Sequence, residues 1–373
     1  MKNNKRKVVF LSFFCAFLLL TIFGVCHFSF SNKSQTSNVS EQTTPTPSIQ
    51  TQPLTTEEKI YNELTGNLKD SFSEDEKVQI QNLIKEIVNV ENNSNDNAKK
   101  SNVYKEIIKI LDDVTLRAHS QEDLDKYKKY YDITKNSSNF TPECYTYRIT
   151  STGEISTESS TFGEVDNAEH KKLWENTKKI IPFELLKGIK YFTPFNVDKT
   201  SGAYVGGFMQ PLDWSASTYE WNIGVESSAA ESENLPYTLI HEYGHYISLK
   251  DSTIDLNDNI NSIKADGSEL LKSFVESCLK YTSEELENIE PSKHYLFYAR
   301  HKDDFVTKYA AENLLEDFAE SFAKFVKGVS YDSETLKGKM NFFKNRQDMV
   351  DIKNKILNSL ENNGIKEIVE ITT

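Results

Sequence analysis

The chain has 373 residues and a formal net charge of -13, so it exceeds one average domain and can bury a sizeable core beside smaller or unstructured parts. That charge excludes nucleic acid as a partner, because phosphate binding relies on clustered Lys and Arg that release counterions, and it disfavours acidic substrates. Of the 4 cysteines, Cys15 and Cys26 fall in an apolar N-terminal run, and no CxxC or zinc-finger spacing is present.

Lys2, Lys5, Arg6 and Lys7 precede an uncharged apolar stretch at 8–26, the pattern of a positive n-region followed by an h-region. The rest of the chain is therefore expected outside the cytoplasm. The stretch is also long enough to span a bilayer, so residues 1–31 read either as a cleaved signal peptide or as a retained signal anchor. The protein is accordingly expected to be secreted or held at the outer face of the membrane, with membrane attachment through this segment only. Ser29-Phe30-Ser31 offers small residues for cleavage, whereas Val25 before Cys26 makes a poor lipidation site. Residues 32–54 are Ser, Thr, Gln, Asn and Pro with almost no large apolar side chain, which cannot offset the entropy of ordering and reads as a disordered tether.

From 55 to 135 the pattern is helical. Ser73 with Glu76 forms a capping-box signal before Val78, Ile80, Leu83, Ile84 and Ile87, and a second stripe runs through Val103, Ile107, Ile108, Ile110, Leu111 and Val114. This predicts a small all-α segment that spaces or packs against the larger C-terminal part of the chain. Beyond Asn136 a helix at 171–181 is followed by strand-like runs at 189–195, 203–208 and 219–225. After Pro236 the pattern is helical to about residue 360, with breaks near 251–267, 290 and 328–333. The fold class expected is α+β: a small sheet with a mostly helical domain over 136–373. Cys144 and Cys278 read as one disulfide or, more plainly, as two buried thiols.

The run Leu235-Pro-Tyr-Thr-Leu-Ile-His241-Glu242-Tyr243-Gly244-His245 carries HExxH in an apolar helical context. Residues four apart share a helical face, so His241 and His245 can present imidazoles to one zinc ion at about 2.0–2.1 Å, with Glu242 beside them as the base for a water. A catalytic zinc needs a third protein ligand and keeps a position for water or substrate. No third His follows at metzincin spacing, which leaves a carboxylate. Glu312, Glu316 and Glu320 lie at i, i+4 and i+8 beside Phe318, Phe322, Phe325 and Val326, and spacing alone does not choose among them.

HEYGH followed by YAAENLLEDFAESFAKFV resembles the catalytic domain of anthrax lethal factor and its relatives, including the secreted Pro-Pro endopeptidases, and resembles still more a group of secreted bacterial zinc metallopeptidases of the HExxH-plus-Glu (gluzincin) type. The likeness covers about 169–360, including Tyr-Glu-Trp-Asn-Ile-Gly before the first motif and the helical tail at 347–360. The resemblance implies that Glu316 is the third zinc ligand, Glu320 a supporting carboxylate that orients an imidazole, and Tyr309, seven residues before Glu316, the catalytic phenol. It implies an extracytoplasmic zinc endopeptidase with a peptide or protein substrate, acting as a monomer. Two departures stand out. The stretch from His245 to Glu316 is longer than in lethal factor, so an inserted helical segment at about 269–289 is expected over or beside the cleft, and nothing resembles the toxin's receptor-docking domain.

Other readings carry less. An exported surface-binding protein on a zincin-like scaffold without catalysis is the alternative, argued against by the intact Glu242; a zinc amidase acting on cell-wall peptides is a third. Residues 219–225 read as an edge strand lining the cleft or as an ordinary strand. Asp255-Leu-Asn257-Asp258-Asn259 has the start of a calcium loop, but Ile260 replaces the required Gly and Asp266 the bidentate Glu, so it reads as a polar loop. His119, His170, His294 and His301 have no ligand-like spacing and are expected at the surface.

Overall fold

A computed structural model of the protein describes residues 54–93, 96–136, 143–159, 163–164, 166–196, 206–212, 219–251 and 268–370. The signal peptide or anchor expected at 1–31, all but the last residue of the tether, and the polar loop at 255–266 lie outside the described residues. Among the described residues no helix is long and apolar enough to cross a membrane.

Four helices come first: α1 (Thr56–Thr65), α2 (Glu74–Asn93), α3 (Asn97–Ala118) and α4 (Gln121–Asn136). The capping box forms as expected, with Ser73 N–H donating to Glu76 at 2.9 Å and Glu76 N–H donating to Ser73 Oγ at 3.3 Å. The apolar stripe of α3 is buried along Val103, Ile107, Ile108, Leu111 and Val114. These helices share one core with a later segment of the chain, since Ile60, Ile84, Ile107 and Leu111 pack with Leu279, Phe297 and Phe305.

The sheet has seven strands: β1 (Glu143–Cys144), β2 (Tyr147–Ile149), β3 (Ile155–Ser159), β4 (Gly163–Glu164), β5 (Ile189–Asn196), β6 (Gly207–Pro211) and β7 (Trp221–Glu226). Its order is β4-β3-β2-β5-β7-β6, with β1 also on β5; only β5 and β7 run parallel. Between β4 and β5 lie α5 (Ala168–Ile180) and α6 (Phe183–Leu186). Of the run expected at 203–208, residues 203–205 lie outside the described residues and the strand found is Gly207–Pro211; Pro211 is tolerated because β6 is the outer strand among the described residues, where a missing N–H need not break a ladder. Residues 219–225 are not an edge: β7 is held between β5 and β6. No disulfide joins Cys144 and Cys278.

After the sheet come α7 (Leu235–Leu249), which packs on β6, then α8 (Glu269–Cys278), α9 (Lys280–Asn288), α10 (His294–His301), α11 (Leu314–Lys327), α12 (Glu334–Lys344) and α13 (Gln347–Asn362). The segment at about 269–289, expected over or beside the cleft, is α8 and α9 and packs into the core: Phe274 on α8 packs against Phe318, Phe342 and Phe343, while α9 packs on α1 and α3. It joins the sheet-bearing core to the N-terminal helices.

A buried candidate metal centre

All of α7 is buried, as expected for a helix apolar on every face. Its broadest helix contact is with α11, and Gly244 explains how close the two come: a Cβ there would stand 2.9 Å from Ala319 Cα. A mid-helix glycine costs about 1 kcal/mol relative to alanine. Here the cost is offset by a crossing tight enough for a carboxylate on α11 to reach the imidazoles on α7. The start of α11 is set by Asn313, whose side chain accepts from the N–H groups of Leu315 and Glu316 at 3.0 and 3.1 Å. Glu312 therefore precedes the helix instead of sharing its face with Glu316 and Glu320.

Three donor atoms converge. His241 Nε2 lies 3.1 Å from His245 Nε2 and 3.1 Å from Glu316 Oε2, and His245 Nε2 lies 3.3 Å from the same oxygen. Neighbouring ligands of a tetrahedral ion with bonds of about 2.0–2.1 Å stand about 3.3 Å apart, so the triangle is close to the size a metal requires. Glu316 Oε2 is buried within ion-pair reach of both rings yet makes no directed hydrogen bond, which is the behaviour of an atom aimed at a cation. Among the described residues His241, His245 and Glu316 form the one group of this kind, and it could hold a metal ion.

Glu320 locks the arrangement from behind. One oxygen lies 2.8 Å from His241 Nδ1, and the other accepts from Tyr237 Oη at 3.0 Å and Thr307 Oγ1 at 2.8 Å. With Nδ1–H donated to Glu320, Nε2 of a neutral His241 is left as a lone pair toward the centre. Burial opposes charge on His241, but Glu316 and Glu320 outweigh it and raise the imidazole well above its ordinary value. Carboxylates at both ring nitrogens thus favour a cationic occupant between His241 and Glu316, a proton or a metal. Burial would raise the Glu316 carboxyl, yet the charge of His245 and His241 holds it well below the usual carboxylate range.

Glu242 is buried beside the cluster and is not one of its three members. Burial raises its carboxyl, partly offset by His241 and His245. The outer strand β6 passes directly over it, and a Cβ at Gly207 would meet Glu242 Cγ at 3.1 Å. Tyr309 lies on the irregular segment before α11, its ring centroid 5.6 Å from that of His241. Burial pushes this phenol well above its ordinary value.

The chain matches no protein-family model, no curated protein and no solved structure. Function is therefore read from the site.

Every site residue named from sequence, His241, Glu242, His245, Tyr309, Glu316 and Glu320, meets in one place, while Glu312 does not join the cluster. Tyr237, Thr307, Asn313, Gly207 and Gly244 were missed. Two of them carried a local signal: Asn313 before an apolar run is a cap, and a glycine inside an apolar helix marks a close approach. Two of the histidines expected at the surface are not there. His170 is buried against Tyr147, and His301 is fully buried between Glu285 and Asp304.

Proposed function

We propose that the protein is a zinc-dependent endopeptidase acting outside the cytoplasm. The observation that carries this reading is the convergence of His241 Nε2, His245 Nε2 and Glu316 Oε2 on one point while Glu242, buried alongside, stays outside the ligand set. Two imidazoles and one carboxylate are a donor set suited to zinc, and three protein ligands leave a fourth position for water or substrate. A site built only for structure would close that position and would need no extra carboxylate.

When bound, the zinc supplies electrophilic polarisation of the scissile carbonyl and acidifies the attacking water. Glu242 takes the proton of that water and passes it to the leaving amine, a task suited to a carboxyl raised by burial. Tyr309 donates its O–H to the oxyanion that develops on the carbonyl. Glu320 keeps Nδ1–H of His241 engaged and so fixes the ring for its ligand role. An extended peptide can add to the outer edge that β6 has among the described residues, crossing above Glu242, through backbone hydrogen bonds. The extracytoplasmic location rests on the basic and apolar N-terminal residues.

The test is turnover of a mixed peptide library, with cell-wall peptides as a second substrate set. A chelator should abolish cleavage and zinc restore it, and Glu242→Gln should keep the metal while losing nearly all turnover. Activity that survives complete metal removal contradicts the reading. Zinc bound without turnover of either set would favour an exported binding protein on the same scaffold.

A further inference from the structure

Tyr309 is placed by an irregular stretch, residues 302–313, between α10 and α11. Its own backbone bonds are isolated turn contacts, Asp304 N–H to the His301 carbonyl at 2.8 Å, Ala311 N–H to the Lys308 carbonyl at 3.2 Å and Glu312 N–H to the Tyr309 carbonyl at 3.0 Å, so its shape also depends on side-chain hydrogen bonds. Three such bonds tie the stretch to its surroundings, two to its backbone and one through its Thr307 side chain. Lys339 Nζ on α12 donates to the Asp304 carbonyl at 2.6 Å, Thr307 Oγ1 donates to Glu320 at 2.8 Å, and Tyr131 Oη on α4 donates to the Lys308 carbonyl at 3.0 Å. The first two arise from the same part of the chain as the site. The third comes from 177 residues away in sequence, from the N-terminal helices that the sequence suggested only as a spacer or packing unit.

Its position is the telling one. The carbonyl of Lys308 belongs to the peptide unit that leads directly into Tyr309, so its orientation governs the direction in which the Tyr309 side chain leaves the backbone. Tyr130, the neighbour of Tyr131, takes the other end of the same residue: Lys308 Nζ sits 5.4 Å from the centre of the Tyr130 ring. Tyr131 is itself held. It is 4% exposed, its ring stacks on His294 at 5.9 Å, and Tyr298 lies at 6.2 Å. Leu124, nearer the start of α4, packs with Leu296 and Ala299 on α10.

We propose that Tyr131 is a positioning residue for Tyr309, acting through its hydrogen bond to the Lys308 carbonyl, so that the N-terminal helices complete the reactive centre. This rests on the peptidase reading for its kinetic consequence but not for its geometry. A displacement of about 1 Å in a group that contacts the transition state can cost about a hundredfold in rate, and reactive groups need to be held within about 0.5 Å.

The experiment uses the full chain with Tyr131→Phe, which removes one hydroxyl and keeps the ring, made in the native and in the Tyr309→Phe background, with Tyr127→Phe as a control on the same helix. The expected result is a kcat lowered on the order of tenfold, with KM and zinc affinity unchanged, and no further loss when Tyr309→Phe is already present, since coupled residues are not additive. Tyr127→Phe should change kcat by less than about twofold. Equal losses in both backgrounds, or none in the native one, overturn the proposal. A second readout does not need catalysis: a 3-fluorotyrosine at position 309 should give one sharp 19F resonance that shifts or broadens in Tyr131→Phe, and an unchanged resonance overturns the proposal as well. Should the native protein cleave no peptide, the peptidase reading fails by itself, and the 19F signal still decides the role of Tyr131.

Discussion

Two buried histidine–carboxylate clusters differ in where their atoms aim. Around His241 and His245, two ring nitrogens and one carboxylate oxygen point at a shared centre with 3.1–3.3 Å between them. Around His301, the acids lie on opposite sides of the ring: Asp304 Oδ2 is 3.0 Å from Nδ1 and Glu285 Oε2 is 2.9 Å from Nε2. Arg300 then covers Glu285 and reaches Asp112 on α3 at 3.1 Å. Both clusters contain fully or nearly buried His and Glu. In the second both oxygens of Glu285 and one of Asp304 face ring or guanidinium donors, which makes it a salt network tying α3, α9 and α10 together; in the first the acceptors face each other, which suits a cation. Residue type and burial alone do not separate a group that could hold a metal ion from a salt network, but convergence does.

This contrast can be broken by substitution, and the largest effect is expected at Glu316. Glu316→Ala should abolish tight zinc binding in a metal titration, whereas Glu320→Ala should weaken affinity or turnover by roughly ten- to a hundredfold, as losses behind a ligand do. Normal affinity in Glu316→Ala would mean that the convergence is accidental. The opposite signature is expected in the other cluster. Glu285→Ala leaves Arg300 and His301 buried without their partner, and should destabilise the fold by about 3–5 kcal/mol in denaturant unfolding, with the metal stoichiometry of the folded protein unchanged. Its pH dependence sharpens the point. Burial opposes charge on His301, but Glu285 and Asp304 raise its imidazole above the ordinary value. The stabilisation is thus complete below the unfolded value of about 6.5 and is lost as pH rises through the raised one. The thermal midpoint of the native protein should therefore fall from pH 6 upward by more than that of His301→Gln, and parallel curves would remove His301 from the network.

How much of this could be read beforehand depends on the range of the interactions. The capping box at Ser73 and Glu76, the buried stripe of α3 and the pair His241 and His245 are set within a few residues, and local periodicity discloses them. The four short strands before α5 went unread because runs such as Ser-Thr-Glu-Ser-Ser-Thr have no apolar alternation; β3 exists because β2 pairs with it. The third ligand was open among three glutamates until resemblance selected one, since a helix through all three was assumed and Asn313 begins it after Glu312. His301 was misplaced at the surface because its partners, Glu285 and Asp304, identify themselves only in three dimensions. The same holds for Tyr237 and Thr307 on Glu320.

The most direct test of the centre is X-ray absorption at the zinc edge on the purified chain, combined with metal content. The expected result is one zinc per chain with only nitrogen and oxygen neighbours at about 2.0–2.2 Å, two of them imidazoles, and loss of the ordered signal in Glu316→Ala. A sulfur neighbour at about 2.3 Å, a third imidazole, or no zinc in a folded and zinc-supplemented protein would contradict the assignment of His241, His245 and Glu316.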